Sequence, residues 1–311
     1  MNHEHKIKTL IVVVGPTASG KTAAAIELAI HYNTIIVSAD SRQFYREMSI
    51  GTAKPGNEEL AAAKHYFIDS HSITENFTAG DYEKKSLELL SNLFQIHDVI
   101  ILVGGSGLFI KAVCEGFDKF PDAMPGARDV LNKEFVEKGI NYLQEKLRKV
   151  DPEYYEQIDL NNRQRVIRAL EVFESTGKPF SSFRKSAQKK RPFRIIKLGL
   201  NLARASLYQR INQRVDDMVK LGLVEEVRSL LPYRHLNALN TVGYSELFDY
   251  FDGKTDLQTA IELIKQNTRR FAKRQLTWFG KDSGILWIAA DRQPLINDMK
   301  SLIDPIIILA Q

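Results

Sequence analysis

The sequence predicts an α/β protein, a doubly wound parallel sheet with a mainly helical insertion domain. Three observations predict it: short Val/Ile/Leu runs without polar alternation recur, helical patterns separate them, and the first run ends in a glycine-rich turn. The runs are Leu10–Val14, Thr34–Val37, Val99–Val103, Ile195–Leu200 and Ile285–Ile288, a composition suited to strands buried on both faces. Helical periodicity intervenes at Ala23–His31, Asp81–Phe94, Leu207–Leu231 and Gln258–Phe279. Such alternation places ligands at the carboxyl ends of the strands.

From about Phe117 to Arg191 the alternation lapses. Pro121, Pro125 and Gly126 break the chain, and helical patterns follow without a convincing strand. Asp151-Pro152 suits an N-cap and first turn, and Gly177-Lys178-Pro179 suits a helix stop. The expected division is therefore an α/β core of 1–116 with 192–311, and a helical insertion of 117–191. The tail, Leu295 to Leu309, is expected to form a closing helix interrupted or shortened by Pro305.

Composition is that of an ordinary soluble protein, with 44% hydrophobic and 26% charged residues in 311. The single cysteine, Cys114, excludes an intrachain disulfide framework and a cysteine-based zinc site. The apolar run near the start is too short for a secretion signal, and no stretch approaches the roughly 20 apolar residues of a membrane span. A cytoplasmic protein without membrane association is expected, and nothing demands more than a monomer. The net charge of +5 is unevenly spread: Ser175 to Arg214 holds eleven Lys or Arg and no acid, leaving 32 basic against 38 acidic residues elsewhere. One strongly basic segment in an otherwise acidic chain points to a polyanion footprint or to a solvated basic loop.

The chemistry-bearing stretch follows the first strand. Gly15-Pro16-Thr17-Ala18-Ser19-Gly20-Lys21-Thr22 fits G-x-x-x-x-G-K-[ST], the phosphate loop (P-loop). Its glycines let successive N–H groups turn toward phosphate oxygens, Lys21 adds a cation, Thr22 offers a hydroxyl to Mg²⁺, and the next helix aims its positive end at the anion. ATP is the default ligand of such a loop. Strand two ends in Ser38-Ala39-Asp40-Ser41, which puts Asp40 at the same sheet edge as a metal ligand, a general base or a simple N-cap. Strand three ends in Gly104-Gly105-Ser106-Gly107, where an energy-coupled ATPase would more often carry an acid. Glycines there are expected to leave open space beside the loop, with the Ser106 hydroxyl at its rim, which favours a transferase with a second substrate. After strand four, Arg204, Arg210 and Arg214 lie on one helical segment, and Arg210 is within reach of a phosphate or is a plain surface charge. At 100° per residue, Gln164, Arg165 and Arg168 share one helix face. Arg269, Arg270, Lys273, Arg274 and Thr277 share another. Two basic faces and an acid-free segment make nucleic acid a candidate partner.

On these residues the sequence resembles the tRNA dimethylallyltransferase family of bacterial type. The phosphate loop matches the family's letter for letter. Ser38–Ser41, Ile50-Gly51-Thr52-Ala53-Lys54-Pro55 and Gly104–Leu108 are similar to its next landmarks. Asn162–Arg165, Arg168–Val172, Gln209-Arg210-Ile211, Val242-Gly243-Tyr244 and Lys273–Trp278 follow in order. The resemblance implies transfer of a dimethylallyl group from dimethylallyl diphosphate to N6 of the adenine just 3′ of a tRNA anticodon. Gly15, Pro16, Thr17, Ala18, Ser19, Gly20, Lys21 and Thr22 would then hold diphosphate rather than ATP, with Mg²⁺ on Thr22. It further implies Asp40 as the base, with Ser106 and Arg128 assisting at the transition state. Asp40, Ser41, Arg42 and Gln43 would touch the anticodon stem-loop, as would Gln164, Arg165, Val166, Ile167 and Arg168. The same holds for Asn240, Thr241, Val242, Gly243, Tyr244 and Ser245, and for Lys273, Arg274, Gln275 and Trp278. Two positions depart from the common pattern: Ser106 is usually Thr, which keeps the hydroxyl, and Phe109 is often Tyr, which does not.

The chemistry agrees with that resemblance. An exocyclic adenine amine is a poor nucleophile and must lose a proton as its new bond forms, which suits Asp40. Diphosphate departure builds negative charge for Lys21, the loop amides, Mg²⁺ and Arg210 to stabilise. The base would have to flip out of its stack. The rivals are a small-molecule P-loop kinase, an adenylate prenyltransferase and an RNA-binding regulator with a vestigial site. The first two leave the basic helices or the insertion unused, and intact Lys21, Thr22 and Asp40 argue against the third.

Overall fold

The computed structural model describes residues 7–184, 189–291 and 295–308. Contacts divide the chain into two compact units, Met1–Glu115 with Lys190–Gln311, and Gly116–Lys189. The strands of the first are β1 Thr9–Val14, β2 Ile36–Ser38, β3 His65–Tyr66, β4 Val99–Gly104, β5 Arg194–Asn201 and β6 Ile285–Ala289. In chain order the helices are α1 Lys21–His31, α2 Asn57–Ala62, α3 Ala79–Leu93, α4 Gly107–Cys114, α5 Ala127–Val150, α6 Pro152–Gln157, α7 Arg163–Thr176, α8 Arg204–Lys220, α9 Leu223–Ser229, α10 Tyr244–Phe251, α11 Leu257–Phe279 and α12 Leu295–Ile308.

All strand pairs are parallel, in the order β3-β2-β4-β1-β5-β6. The side-chain period of two sends alternate β1 residues to opposite faces. Leu10, Val12 and Val14 join a core with Leu90 of α3, Val113 of α4 and Leu247 of α10. Ile11 and Val13 join another with Leu28 of α1, Ile211 of α8 and Met299 of α12. Each such fully buried aliphatic contributes about 1.5–3 kcal/mol of burial free energy. Val14 pairs with Gly104 on one side and Gly199 on the other, while Ser38 pairs with Val103. The loops after β2, β4, β1 and β5 therefore open side by side along one edge.

Three elements differ from expectation. The two-residue edge strand β3 is too short to leave a periodic signal. The helical run after β5 breaks between α8 and α9, where Gly222 takes a left-handed φ of 102°. Helix α12 continues through Pro305, because a missing N–H near the end of the described helix removes little.

In the second unit α5, α6 and α7 close over Leu131, Leu143, Leu147, Val166, Ile167 and Leu170. Buried Asp151 caps α6 by accepting the Tyr154 N–H at 3.0 Å and accepts the Ser181 N–H at 2.8 Å. Gly177 ends α7 with a φ of 67°.

Candidate active site along the carboxyl edge of the sheet

The phosphate loop leaves β1 and enters α1 through Gly20, whose φ of 91° makes the curl. Lys21 turns back over the loop and donates to the Pro16 carbonyl at 2.7 Å. Burial, with the neighbouring Arg214 guanidinium, pushes its pKa down to about 7 against the opposing pull of Asp40. Buried Ser19 has its hydroxyl in the loop without a protein partner among the described residues.

Asp40 lies just past β2, two strands across from the loop. One carboxylate oxygen accepts the Arg42 N–H at 2.9 Å, an Asx turn that fixes the side chain over the sheet edge. Lys21 and Arg214 both feel the Asp40 carboxylate, so the three charged groups lie along one edge of the sheet. Ser106, past the intervening strand β4, accepts the Ser41 N–H at 2.9 Å and donates to the Ser41 hydroxyl at 3.0 Å. Sheet order thus brings together three segments that the sequence separates.

The glycines after β4 do not leave open space, as expected from sequence; they admit close neighbours. A Cβ on Gly104 would lie 2.3 Å from the Ala39 carbonyl oxygen, and on Gly107 2.2 Å from the Trp278 indole nitrogen. A Cβ on Gly105 would lie 2.3 Å from Nε2 of Gln275. The gap is filled by backbone, amide and indole.

A cavity of about 640 Å³ opens between the 49–60 segment and α8, lined by Ile50, Ala53, Leu60, Met218, Arg210 and Arg214 among others. Arg210 is exposed, whereas burial pulls Arg214 below the ordinary guanidinium range against Asp40 and Glu59. Arg214 is the residue that sequence reasoning passed over; its signal was the four-residue spacing from Arg210, which puts both on one helix face. Glu226 was also missed. Its carboxylate accepts the N–H groups of Ser49 at 3.0 Å, Ile50 at 2.7 Å and Gly51 at 3.0 Å, and the Tyr244 hydroxyl at 2.6 Å. It thereby shapes the loop that walls the cavity.

Other sequence-assigned residues are placed differently from one another. Gln43 donates to the Thr52 and Ala53 carbonyls, and Arg42 reaches the Asn240 carbonyl at 3.5 Å. Asn240 is exposed, Thr241, Val242 and Ser245 are half-buried, Gly243 is buried and Tyr244 is fully buried. On α11, Lys273, Arg274 and Trp278 are exposed, while Gln275 is buried. In the helical unit Gln164 and Arg165 are exposed, but Val166 and Ile167 have their side chains in the core. Arg128 donates to both oxygens of Glu171 at 3.0 Å, and Arg168 donates to one of them at 2.7 Å. Phe109 packs on Phe44 and Tyr82, an apolar setting that needs no hydroxyl.

The acid-free segment is not one polyanion footprint. Buried Arg191 donates to the Ala112 and Val113 carbonyls and pairs with Glu83 at 3.1 Å. Arg194 donates to the Ile306 carbonyl, and Lys197 pairs with Glu115 and Asp282. Strand β5 and the segment leading into it place these cations among acceptors distant in sequence. Lys185 lies outside the described residues.

A family model described as IPP transferase matches residues 43–282. The chain belongs to this family. Of curated IPP transferase relatives, the tRNA dimethylallyltransferase of Christiangramia forsetii is 55% identical over 282 residues, covering 91% of this chain and 93% of that protein. The Cytophaga hutchinsonii tRNA dimethylallyltransferase is 52% identical, covering 90% and 92%. Of solved structures, the full-length tRNA isopentenylpyrophosphate transferase of Bacillus halodurans superposes with a TM-score of 0.73 at 35% identity, covering 97% of this chain and 98% of that one. A eukaryotic dimethylallyltransferase acting on tRNA shares the fold, with a TM-score of 0.79 at 24% identity over 95% of this chain and 78% of that one. An IPP transferase is a prenyl-transferring enzyme, as the resemblance implied, and the kinase and regulator readings fall away. Among the described residues no helix is long and apolar enough to cross a membrane.

Proposed function

We propose that this chain transfers the dimethylallyl group of dimethylallyl diphosphate to N6 of the adenine 3′ of a tRNA anticodon, acting as a monomer in the cytoplasm. The observation that supports the reading is that Asp40, held by the Arg42 N–H at 2.9 Å just past β2, is felt by both Lys21 and Arg214, where it would act as the base. The diphosphate takes the α1 N-terminus and Lys21, with Arg210 and Arg214 on its far side. The allylic tail takes the apolar wall of Ile50, Leu60 and Met218. The flipped adenine approaches Asp40 from the side of Ser41 and Ser106.

The reaction breaks the allylic C–O bond and forms a C–N bond, with the N6 proton passing to Asp40. Charge grows on the departing diphosphate, and Lys21, Arg214 and the loop amides not already bonded within the protein would stabilise it. Ser106 assists at the transition state.

Mg²⁺ fits the residues present. Among the described residues no group of three His, Cys, Asp or Glu forms a metal cage, which suits a cation held by Thr22, substrate phosphates and water. When bound it neutralises diphosphate oxygens and improves the leaving group. RNA contacts are assigned to 40–43, 164–168, 240–245 and the exposed part of 273–278. For Val166, Ile167 and Tyr244, whose side chains are buried, only the backbone is available to RNA.

The test incubates purified protein and Mg²⁺ with labelled dimethylallyl diphosphate and either unmodified tRNA or AMP. Label in tRNA alone supports the proposal. Label in AMP alone would assign an adenylate prenyltransferase, and no transfer to either would sink the reading.

A further inference from the structure

Gln275 sits within the basic stretch of α11, yet its side chain points inward and is only 6% exposed. Its Oε1 accepts the backbone N–H of Thr17 in the phosphate loop at 2.8 Å. Its Nε2 donates to the carbonyl of Gly105, just past β4, at 2.9 Å. Its partners lie 258 and 170 residues away in sequence. Gly105 is shaped to the contact, since a Cβ there would stand 2.3 Å from that same Nε2.

Both ends of one amide are therefore used, and used differently. The carbonyl end takes an N–H out of the phosphate loop, committing Thr17 to the protein rather than to the anion. The amino end fastens that point to the segment leading into Ser106. An apolar side chain of equal size would leave a buried donor and a buried acceptor unpaired, at the two places where the diphosphate loop and the Ser106 segment meet. A carboxylate would keep the bond to Thr17 and repel the Gly105 carbonyl.

We propose that Gln275 is a positioning residue for prenyl transfer, a clasp that sets the curl of the diphosphate loop against the end of β4, and not an RNA contact. This rests on the proposed function above. The groups that hold anions in such loops act through backbone placement, so an error of a fraction of an ångström at Thr17 propagates to the amides that follow. The cost falls on diphosphate binding. Lys273, Arg274 and Trp278, on the outer side of the same turns, are left unchanged.

The experiment uses the full-length chain and three variants, Q275M, Q275E and G105A, the last displacing the amide from the other side. Steady-state prenylation of unmodified tRNA is measured with each substrate varied in turn. Binding of inorganic diphosphate with Mg²⁺ and binding of unmodified tRNA are measured separately. The expected result is a KM for dimethylallyl diphosphate raised ~10–100-fold in Q275M, as for loss of preorganised hydrogen bonds. A smaller rise is expected in Q275E, which keeps one bond, and a rise like that of Q275M in G105A. Diphosphate affinity should fall in parallel, while tRNA affinity stays within about 3-fold of wild type. Weakened tRNA binding with unchanged diphosphate binding would overturn the proposal and make Gln275 an RNA contact. So would a Q275M variant whose kinetics match wild type. If Q275M does not fold, the Q275E and G105A measurements decide by the same criteria. Failure of the wild-type chain to prenylate tRNA would strike the function instead, and the diphosphate-binding comparison would still judge the clasp.

Discussion

The phosphate loop and the α7 face of the helical unit both gather cations, and they hold them in opposite ways. In the loop, half-buried Lys21 lies near another cation, and burial with that charge lowers its pKa to about 7. On the α7 face, Arg128 of α5 and Arg168 of α7 share the buried carboxylate of Glu171. Hydrogen bonding to that carboxylate raises Arg128 above its ordinary value, while Glu171, despite its burial, is held low by the two guanidinium groups. The first arrangement is incomplete until an anion arrives. The second offsets one of its two positive charges in advance and stays cationic at every working pH. The loop should therefore answer to pH and to loss of single groups, the α7 face to salt.

The largest effect that sharpens this contrast is at the base. Asp40→Ala should lower kcat for tRNA prenylation by ~10³-fold or more, in the range for a lost general base, with tRNA affinity within a few-fold of wild type. Single-turnover kinetics beside filter binding would check it. A proportionate loss of RNA binding would make Asp40 a recognition residue.

Next comes pH. On the proposed function the protonated form of Lys21 binds the diphosphate, and burial together with Arg214 lowers its free pKa to about 7. Above that value a proton must be taken up from solution on binding, whereas below it the proton is already present. Diphosphate affinity should then fall by up to about tenfold per unit between pH 7 and 9, since one unit corresponds to one factor of ten in a linked proton. Calorimetry in buffers of different ionisation enthalpy should record uptake approaching one proton. A flat profile would mean that Lys21 is already charged in the free enzyme. tRNA affinity, carried by arginines, should change little over the same range.

Why this contrast was half legible follows from range along the chain. The loop, the strands and Asp40 are local patterns: apolar runs of five residues, a turn of eight, an acid just past a strand. They could be placed because parallel sheets put strand ends at one edge. Arg214, Glu226 and Gln275 owe their roles to partners across the fold, and the filled glycine gap depends on α11 arriving from more than 160 residues away, beyond any local pattern. The basic segment misled for the same reason: Arg191 and Lys197 look free in sequence and are paired in space.

A middle-sized effect tests the pinned arginines. Glu171→Gln keeps the shape but removes the charge that orients Arg128 and Arg168. Total positive charge rises, so nonspecific RNA affinity should hold or increase, while kcat/KM for tRNA falls by ~10-fold as the two guanidinium groups lose their shared anchor. Competition with an unrelated RNA would separate these two results. Equal loss on specific and unrelated RNA would show that the carboxylate supports the helical unit as a whole.

The smallest effect is the most diagnostic of the surface mode. Arg165 is exposed in the first turn of α7, two residues after the helix begins, and is not one of the arginines paired with Glu171. If it meets an RNA phosphate, Arg165→Ala removes one released counterion and little else. The slope of log affinity against log salt should then become shallower by about 0.7–0.9, with tRNA affinity reduced less than ~10-fold at moderate salt. The KM for dimethylallyl diphosphate should not move, because nothing buried is disturbed. A change in that KM without a change in salt slope would break the comparison, since it would join the α7 face to the diphosphate site by something other than phosphate charge. An unchanged salt slope with unchanged kinetics would remove Arg165 from the RNA surface.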